Sequence, residues 1–258
     1  RLFAKIHELR KNNCAVIYIS HKMEEVYTIT DQITVLRDGA SIATWNTKEA
    51  TNDMVVKAMV GRELTEQYPK RKVEIGDTIL ELKNFTQEGV FENISFKLRR
   101  GEILGLVGLV GAGRTETMQA LFGITKPDSG EVYLKGQKVE FKKPVDAIKN
   151  GLAYVTEDRK GEGLVLPMSI AHNITLPSMK ELSRKIFIKQ KEEKDRVGKE
   201  IADLKVKTTS PNLAVKNLSG GNQQKVVLAK WMLKNPDVII FDEPTRGIDV
   251  GAKAEIYK

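Results

Sequence analysis

The chain has 258 residues, 41% of them apolar and 29% charged, with a net charge of +8 and a pI of about 9.3. That length can build one large domain or two smaller ones with buried cores. A single cysteine, Cys14, excludes an internal disulfide and suits a reducing compartment. No apolar run approaches the roughly 18 residues of a membrane span, and residues 1–8 are too charged for a signal peptide. The basic balance fits nucleic acid, an anionic membrane surface or nucleotide phosphates. Aromatics make up only 6% and do not interleave with the basic residues, which disfavours a base-stacking platform. The first residue is Arg1, not methionine, which points to a start inside a longer protein.

In chain order, residues 2–9 form an amphipathic helix and residues 14–19 an apolar, buried strand. A helix begins at Met23. Residues 33–36 and 41–45 flank Arg37-Asp-Gly39, a strong hairpin signal. Residues 53–60 are helical. Residues 61–77 are polar and basic and read as a linker, after which residues 79–82 alternate like an edge strand. Strands follow at 91–98, 103–107, 131–134 and 153–155, with helices at 115–122 and 145–149. Residues 170–204 are mostly helical, and the charge run at 189–196 is a solvated helix face. Residues 238–241 form a buried strand. Alternating strands and helices imply an α/β fold with a mainly parallel core sheet, an antiparallel β edge and a helical subdomain.

Gly108-Leu-Val-Gly-Ala-Gly-Arg-Thr115 lies between the 103–107 strand and a helix. Its spacing is that of a phosphate loop with Arg114 in the lysine position. The glycines permit a tight turn. N–H groups of Gly111, Ala112, Gly113, Arg114, Thr115 and Glu116 are then expected to face phosphate oxygens at a helix N-terminus. Thr115 suits Mg²⁺. Arg114 supplies a planar fork where lysine would supply a point charge. A dinucleotide loop is a poorer fit, because Glu116 stands where the third glycine is required. Downstream, Asp242 ends an apolar strand and suits Mg²⁺, and the adjacent Glu243 suits a general base.

These motifs together resemble the two-cassette ATPases of ABC monosaccharide importers, over the whole length. The matching segments are Gly108–Glu116, Glu157-Asp-Arg-Lys160, Leu218-Ser-Gly-Gly-Asn-Gln-Gln-Lys225 and Asp242-Glu-Pro-Thr-Arg-Gly-Ile-Asp249 with its continuation to Lys253. Residues 59–65 and 204–211 most resemble the D-xylose type, with ribose and galactose types next. The resemblance implies a P-loop NTPase fold that binds ATP and Mg²⁺. It also implies that Ser219, Gly220 and Gly221 grip a γ-phosphate held by the opposite cassette. Asp249 matches the carboxylate between cassettes, and His21 the switch histidine of a preceding cassette. Glu157 stands where most cassettes carry a glutamine that couples to the membrane subunit.

The same resemblance implies that residues 1–72 are the end of one cassette plus a linker, and that 73–258 are a second cassette stopping before its own switch histidine. The implied protein works at the cytoplasmic face of the membrane with two permease subunits and an extracytoplasmic sugar-binding protein, and without nucleic acid. Three expectations follow from it. The Arg114 site binds ATP but hydrolyses it poorly, residues 156–166 and the helices after them face the permease, and the chain alone does not turn over ATP. The alternatives are a nucleic-acid- or ribosome-associated ABC ATPase, which the basic pI favours, and a nucleotide-binding regulatory cassette without hydrolysis.

Overall fold

The computed structural model describes residues 2–20, 22–37, 39–61, 73–184 and 187–257. It divides into two units, Arg1–Pro69 with Gly247–Lys258, and Lys70–Arg246.

In the first unit, α1 (Leu2–Lys11) and α2 (Met23–Ile29) precede a hairpin of β1 (Gln32–Arg37) and β2 (Ala40–Asn46). Gly39, at φ +79°, supplies the left-handed turn position that L side chains rarely take. Alternation along β1 buries Ile33 and Val35, which pack with Val26, Ala50 and Val55. Thr51 caps α3 (Asn52–Val60) by accepting the Met54 N–H, and Gly61 ends that helix in the left-handed region. The helix α10 (Val250–Ile256) completes the unit.

Residues 14–19 are not the buried strand that their apolar character implied. They carry no ladder pairing, and Ile17 and Ile19 are 92% and 93% exposed. Strand-forming side chains stabilise a strand only where a neighbouring ladder covers them.

The second unit carries a four-stranded antiparallel sheet in the order β4 (Phe91–Arg99), β3 (Thr78–Gln87), β5 (Ser129–Leu134), β6 (Gln137–Val139). The strand read as an edge, β3, is interior, bonded on both sides, with Ile79, Leu80, Leu82 and Phe85 buried. Gly130 makes the close approach of β5 to β3 possible: its φ is +104°, and a Cβ there would lie 2.5 Å from the Phe85 Cα.

Beyond this antiparallel edge, β7 (Leu152–Val155) and β10 (Val238–Phe241) pair in parallel, Leu152 opposite Val238 through Val155 opposite Phe241. All four β7 residues are buried, as a parallel strand covered on both faces requires. Residues 103–107, expected as a buried strand beside them, form no ladder among the described residues, and Ile103 and Val107 are 97% and 95% exposed. The physical reason is the same as for residues 14–19.

Helix α4 (Arg114–Leu121) succeeds the glycine loop, and α5 (Pro144–Lys149) precedes β7. The helical region comprises α6 (Ile170–Thr175), α7 (Met179–Leu182), α8 (Gln190–Asp203) and α9 (Gly220–Met232). The short strands β8 (Ser183–Arg184) and β9 (Phe187–Ile188) interrupt it. Buried Asn173 satisfies the bend before α6: its amide donates to the carbonyls of Val165 and Ser169, and its oxygen accepts the Val165 N–H. Against β7, Phe122 stacks tilted on Tyr154 at 5.5 Å and meets Trp231 of α9 edge-on at 6.0 Å.

Two core positions on α9 are cationic, Lys225 and Lys230. Lys230 of α9 is buried, and its ammonium donates to the Gly163 carbonyl at 2.5 Å and lies 5.0 Å from the Trp231 ring. Burial lowers its pKa from 10.5 to about 8. Between those values the unfolded chain holds a proton that the folded chain has released, so stability rises with pH from about 8 to 10.5. Below pH 8 the penalty is constant, on the order of 3 kcal/mol. The stability difference between wild type and Lys230→Met should therefore move by about that amount in favour of the wild type from pH 7 to pH 10. Parallel denaturant titrations of the two proteins check this, and a difference independent of pH contradicts it.

Candidate functional site

The phosphate-loop geometry follows from two glycines. Gly111 and Gly113 sit at φ +83° and +79°, and Gly113 is the N-cap of α4. A Cβ on Gly113 would lie 2.9 Å from the Val90 carbonyl and 3.0 Å from the Phe91 Cβ, so only glycine fits between β4 and the helix start. The first-turn N–H groups of α4 have no helical acceptor, as at any helix start. The Ala112 N–H is instead used inside the loop, donating to Leu109 at 3.1 Å.

The loop helix and the end of β10 converge. Thr115 donates its hydroxyl to Asp242 Oδ1 at 3.2 Å, and Tyr154 donates to Asp242 Oδ2 at 2.8 Å. The Asp242 N–H continues the β-ladder to the Val155 carbonyl at 2.9 Å, which fixes where the carboxylate starts. Burial raises the Tyr154 pKa, with further contributions from the hydrogen bond and the Asp242 charge, so this phenol stays a donor at any working pH. Arg114 reaches across to Glu243 at 3.8 Å. Glu243 has φ +44°, an uncommon conformation for a non-glycine residue and one that concentrates at functional sites.

Other candidates stand elsewhere. Ser219 is the N-cap of α9, exposed, and its hydroxyl accepts from the Asn222 amide at 3.0 Å. No hydrogen bond or ion pair joins Ser219, Gly220 or Gly221 to Arg114, Thr115, Asp242 or Glu243 among the described residues. Asp249 belongs to the first unit, where it caps α10 by accepting the Ala252 N–H at 2.9 Å. His21 lies outside the described residues. Glu157 forms an ion pair with Arg246, and Arg159 donates to the Arg246 carbonyl at 2.8 Å.

Two of these side chains escaped the sequence reading. Tyr154 lies in the expected 153–155 strand with no role assigned, although a hydroxyl inside a wholly buried apolar strand is itself a signal that a polar partner is near. Arg246 lay inside a recognised motif, but its partnership with Glu157 joins residues distant in sequence and has no local signature. The Tyr154 phenol supplies a charge-assisted hydrogen bond, so Tyr154→Phe should cost about 1.5–3 kcal/mol. Urea unfolding checks this, and an unchanged midpoint would show that Asp242 is held by Thr115 and the ladder alone.

The comparisons agree with one another. The family model described as ABC transporter matches residues 91–246. The Ribose import ATP-binding protein RbsA of Bacillus subtilis (strain 168) is 52% identical over 257 residues, spanning 100% of this chain and 52% of that protein. The protein of the same description from Oceanobacillus iheyensis is 54% identical over 258 residues, again 100% of this chain and 52% of that protein. A putative ribose/galactose/methyl galactoside import ATP-binding protein of Geobacillus kaustophilus is 45% identical over 256 residues, 99% and 51% of the two chains.

The chain therefore spans about half the length of these curated relatives. Their descriptions name ribose, so the placing of the xylose type first is not supported. That placing rested on two short segments, whereas the identities run along the whole chain. The nucleic-acid and non-hydrolysing alternatives draw no support from these relatives either. A solved dimeric ATP-binding cassette in a post-hydrolysis state, bound to ADP and Pi, shares the fold with a TM-score of 0.59. It is 22% identical, over 69% of this chain and 79% of its own. The chain belongs to the ABC transporter family, and its Lys70–Arg246 unit contains the whole matched span.

Proposed function

We propose that this chain is nucleotide-binding machinery of an ABC-type importer of ribose or a related monosaccharide. The observation that carries the proposal is the meeting of Thr115, Asp242, Glu243 and Arg114 at the mouth of the Gly111–Gly113 turn. The sugar comes from the relatives' descriptions, since no residue described here recognises a sugar.

In this reading the N–H groups opening α4 donate to the ATP phosphate oxygens, and Arg114 neutralises them. The residues fit Mg²⁺: one hydroxyl and one carboxylate oxygen lie 3.2 Å apart. This sparse set would suit Mg²⁺, a hard cation held by few protein oxygens. Bound there, the ion would offset phosphate charge. Thr115 and Asp242 hold it, with Tyr154 keeping the carboxylate oriented. Glu243 accepts a proton from the water that attacks the γ-phosphorus as the bond to ADP breaks. Before ATP binds, Arg114 pairs with Glu243. Nucleotide competes for that arginine and frees the base.

In this reading residues 1–72 are the end of one cassette plus a linker and 73–258 are another; the matched span 91–246 lies within the latter, while residues 247–258 cluster with the first unit. Ser219–Gly221 face a nucleotide on a different cassette, and Asp249 and His21 serve that inter-cassette arrangement. The partners are two permease subunits and a sugar-binding protein, with the ATPase at the cytoplasmic face of the membrane. Residues 156–166 are the contact to the permease.

Titration with a fluorescent ATP analogue and Mg²⁺ should show binding by the chain, weakened about 10-fold or more by Arg114→Ala, the equivalent of one charge-assisted contact. Thr115→Ala should remove the Mg²⁺ dependence. At concentrations where the chain is monomeric, steady-state turnover should be absent, because one positioned base without a Ser-Gly-Gly turn from another cassette lacks part of the required charge stabilisation. Turnover that Glu243→Gln abolishes would overturn this division of the sites, and absence of nucleotide binding would overturn the function.

A further inference from the structure

The turn after β7 is closed by its own hydrogen bonds. Asp158 accepts the N–H groups of Lys160 and Gly161 at 3.0 and 3.1 Å, closing the single π-helical turn Arg159–Gly163. Gly163 is buried, and a Cβ there would come within 3.3 Å of Val227 on α9. The turn is held at both ends by charged side chains. At its start, Glu157 pairs with Arg246 and Arg159 donates to the Arg246 carbonyl. The Arg246 N–H in turn donates to the Glu243 carbonyl at 3.0 Å, inside the carboxylate turn. At its end, Gly163 accepts from Lys230. Lys230 stands on the helix that Ser219 opens.

A buried ammonium is an expensive way to fill core volume, since a methionine of similar length pays no desolvation. Lys230 and Gly163 are 67 residues apart and Glu157 and Arg246 are 89 apart, so neither tie is a by-product of local structure.

We propose that Lys230 and Arg246 are positioning residues that fasten the 157–163 turn to the Ser219 helix and to the Glu243 turn, so that the three shift together. The proposal rests on the reading of Glu243 as base and of residues 156–166 as the permease contact. It goes beyond that reading by naming the side chains that carry displacement between them. Neither residue touches nucleotide; each acts through the backbone it holds. In this arrangement glutamate at position 157 is matched to arginine at 246, a charge pair in place of the neutral glutamine that the general family pattern carries.

Hydrogen exchange of the whole chain without nucleotide tests the ties independently of any ATP chemistry. Loss of one hydrogen bond corresponds to about a tenfold change in opening. Lys230→Met is expected to raise exchange of the amides at 161–164 about tenfold while leaving that of β7 nearly unchanged. Arg246→Gln, at an exposed side chain, is expected to raise exchange of residues 157–160 about two- to fivefold, and Arg246→Lys to restore most of the protection. Unchanged exchange of the turn in a folded Lys230→Met or Arg246→Gln protein overturns the proposal. So does a rise spread over β7 and α9 with a lowered midpoint, which marks a packing role only. Should Lys230→Met fail to fold, the Arg246 pair decides. A chain with intact ties that binds no ATP analogue would refute the proposed function and leave the ties standing.

Discussion

The carboxylate of Asp242 is the point on which the site depends. Its two oxygens accept from different parts of the second unit, Thr115 on α4 and Tyr154 on β7. Its backbone N–H is locked to Val155 by the parallel ladder. One side chain therefore joins the glycine loop, the core strand pair and the carboxylate turn. A buried or half-buried carboxylate needs such donors, because its alternative is protonation or solvation. The donors in turn fix the register between helix start and strand end.

Around that point, strain and charge are arranged for exchange. Glu243 sits in the left-handed region and faces Arg114 at 3.8 Å. Both side chains are substantially exposed, so their pairing is weak. The Lys230 contact is of the opposite kind. It is buried, desolvated and directed at one carbonyl, which makes it a persistent tie that a surface pair would not be. The site thus separates exchangeable contacts at the loop mouth from fixed ones in the scaffold behind it.

The antiparallel edge sheet has a subordinate, geometric part. Gly113 is pressed against Val90 and Phe91, at the start of β4, so the sheet sets how deep the phosphate loop can sit. Gly130 lets β5 approach β3 closely enough to keep that sheet closed. Neither residue has chemistry of its own, and both act by lacking a Cβ.

The chain itself determined whatever depends on near neighbours. The hairpin around Gly39 and α3 with its Thr51 cap need only local hydrogen bonds and left-handed turns. The glycine loop with α4, and the apolar run of β10 ending in Asp242 and Glu243, were legible for the same reason and through recognisable spacing. What tertiary structure alone decided is pairing across distance. Residues 14–19 and 103–107 have the composition of buried strands, yet no ladder covers them among the described residues, because side-chain pattern creates the demand for a partner strand and not the partner. β3 alternates like an edge strand and lies inside its sheet. Tyr154 on Asp242, Arg246 on Glu157 and Lys230 on Gly163 each join residues more than sixty positions apart. Their physical cause is the need of a buried polar group for a partner, which a sequence can announce but only the folded chain can supply.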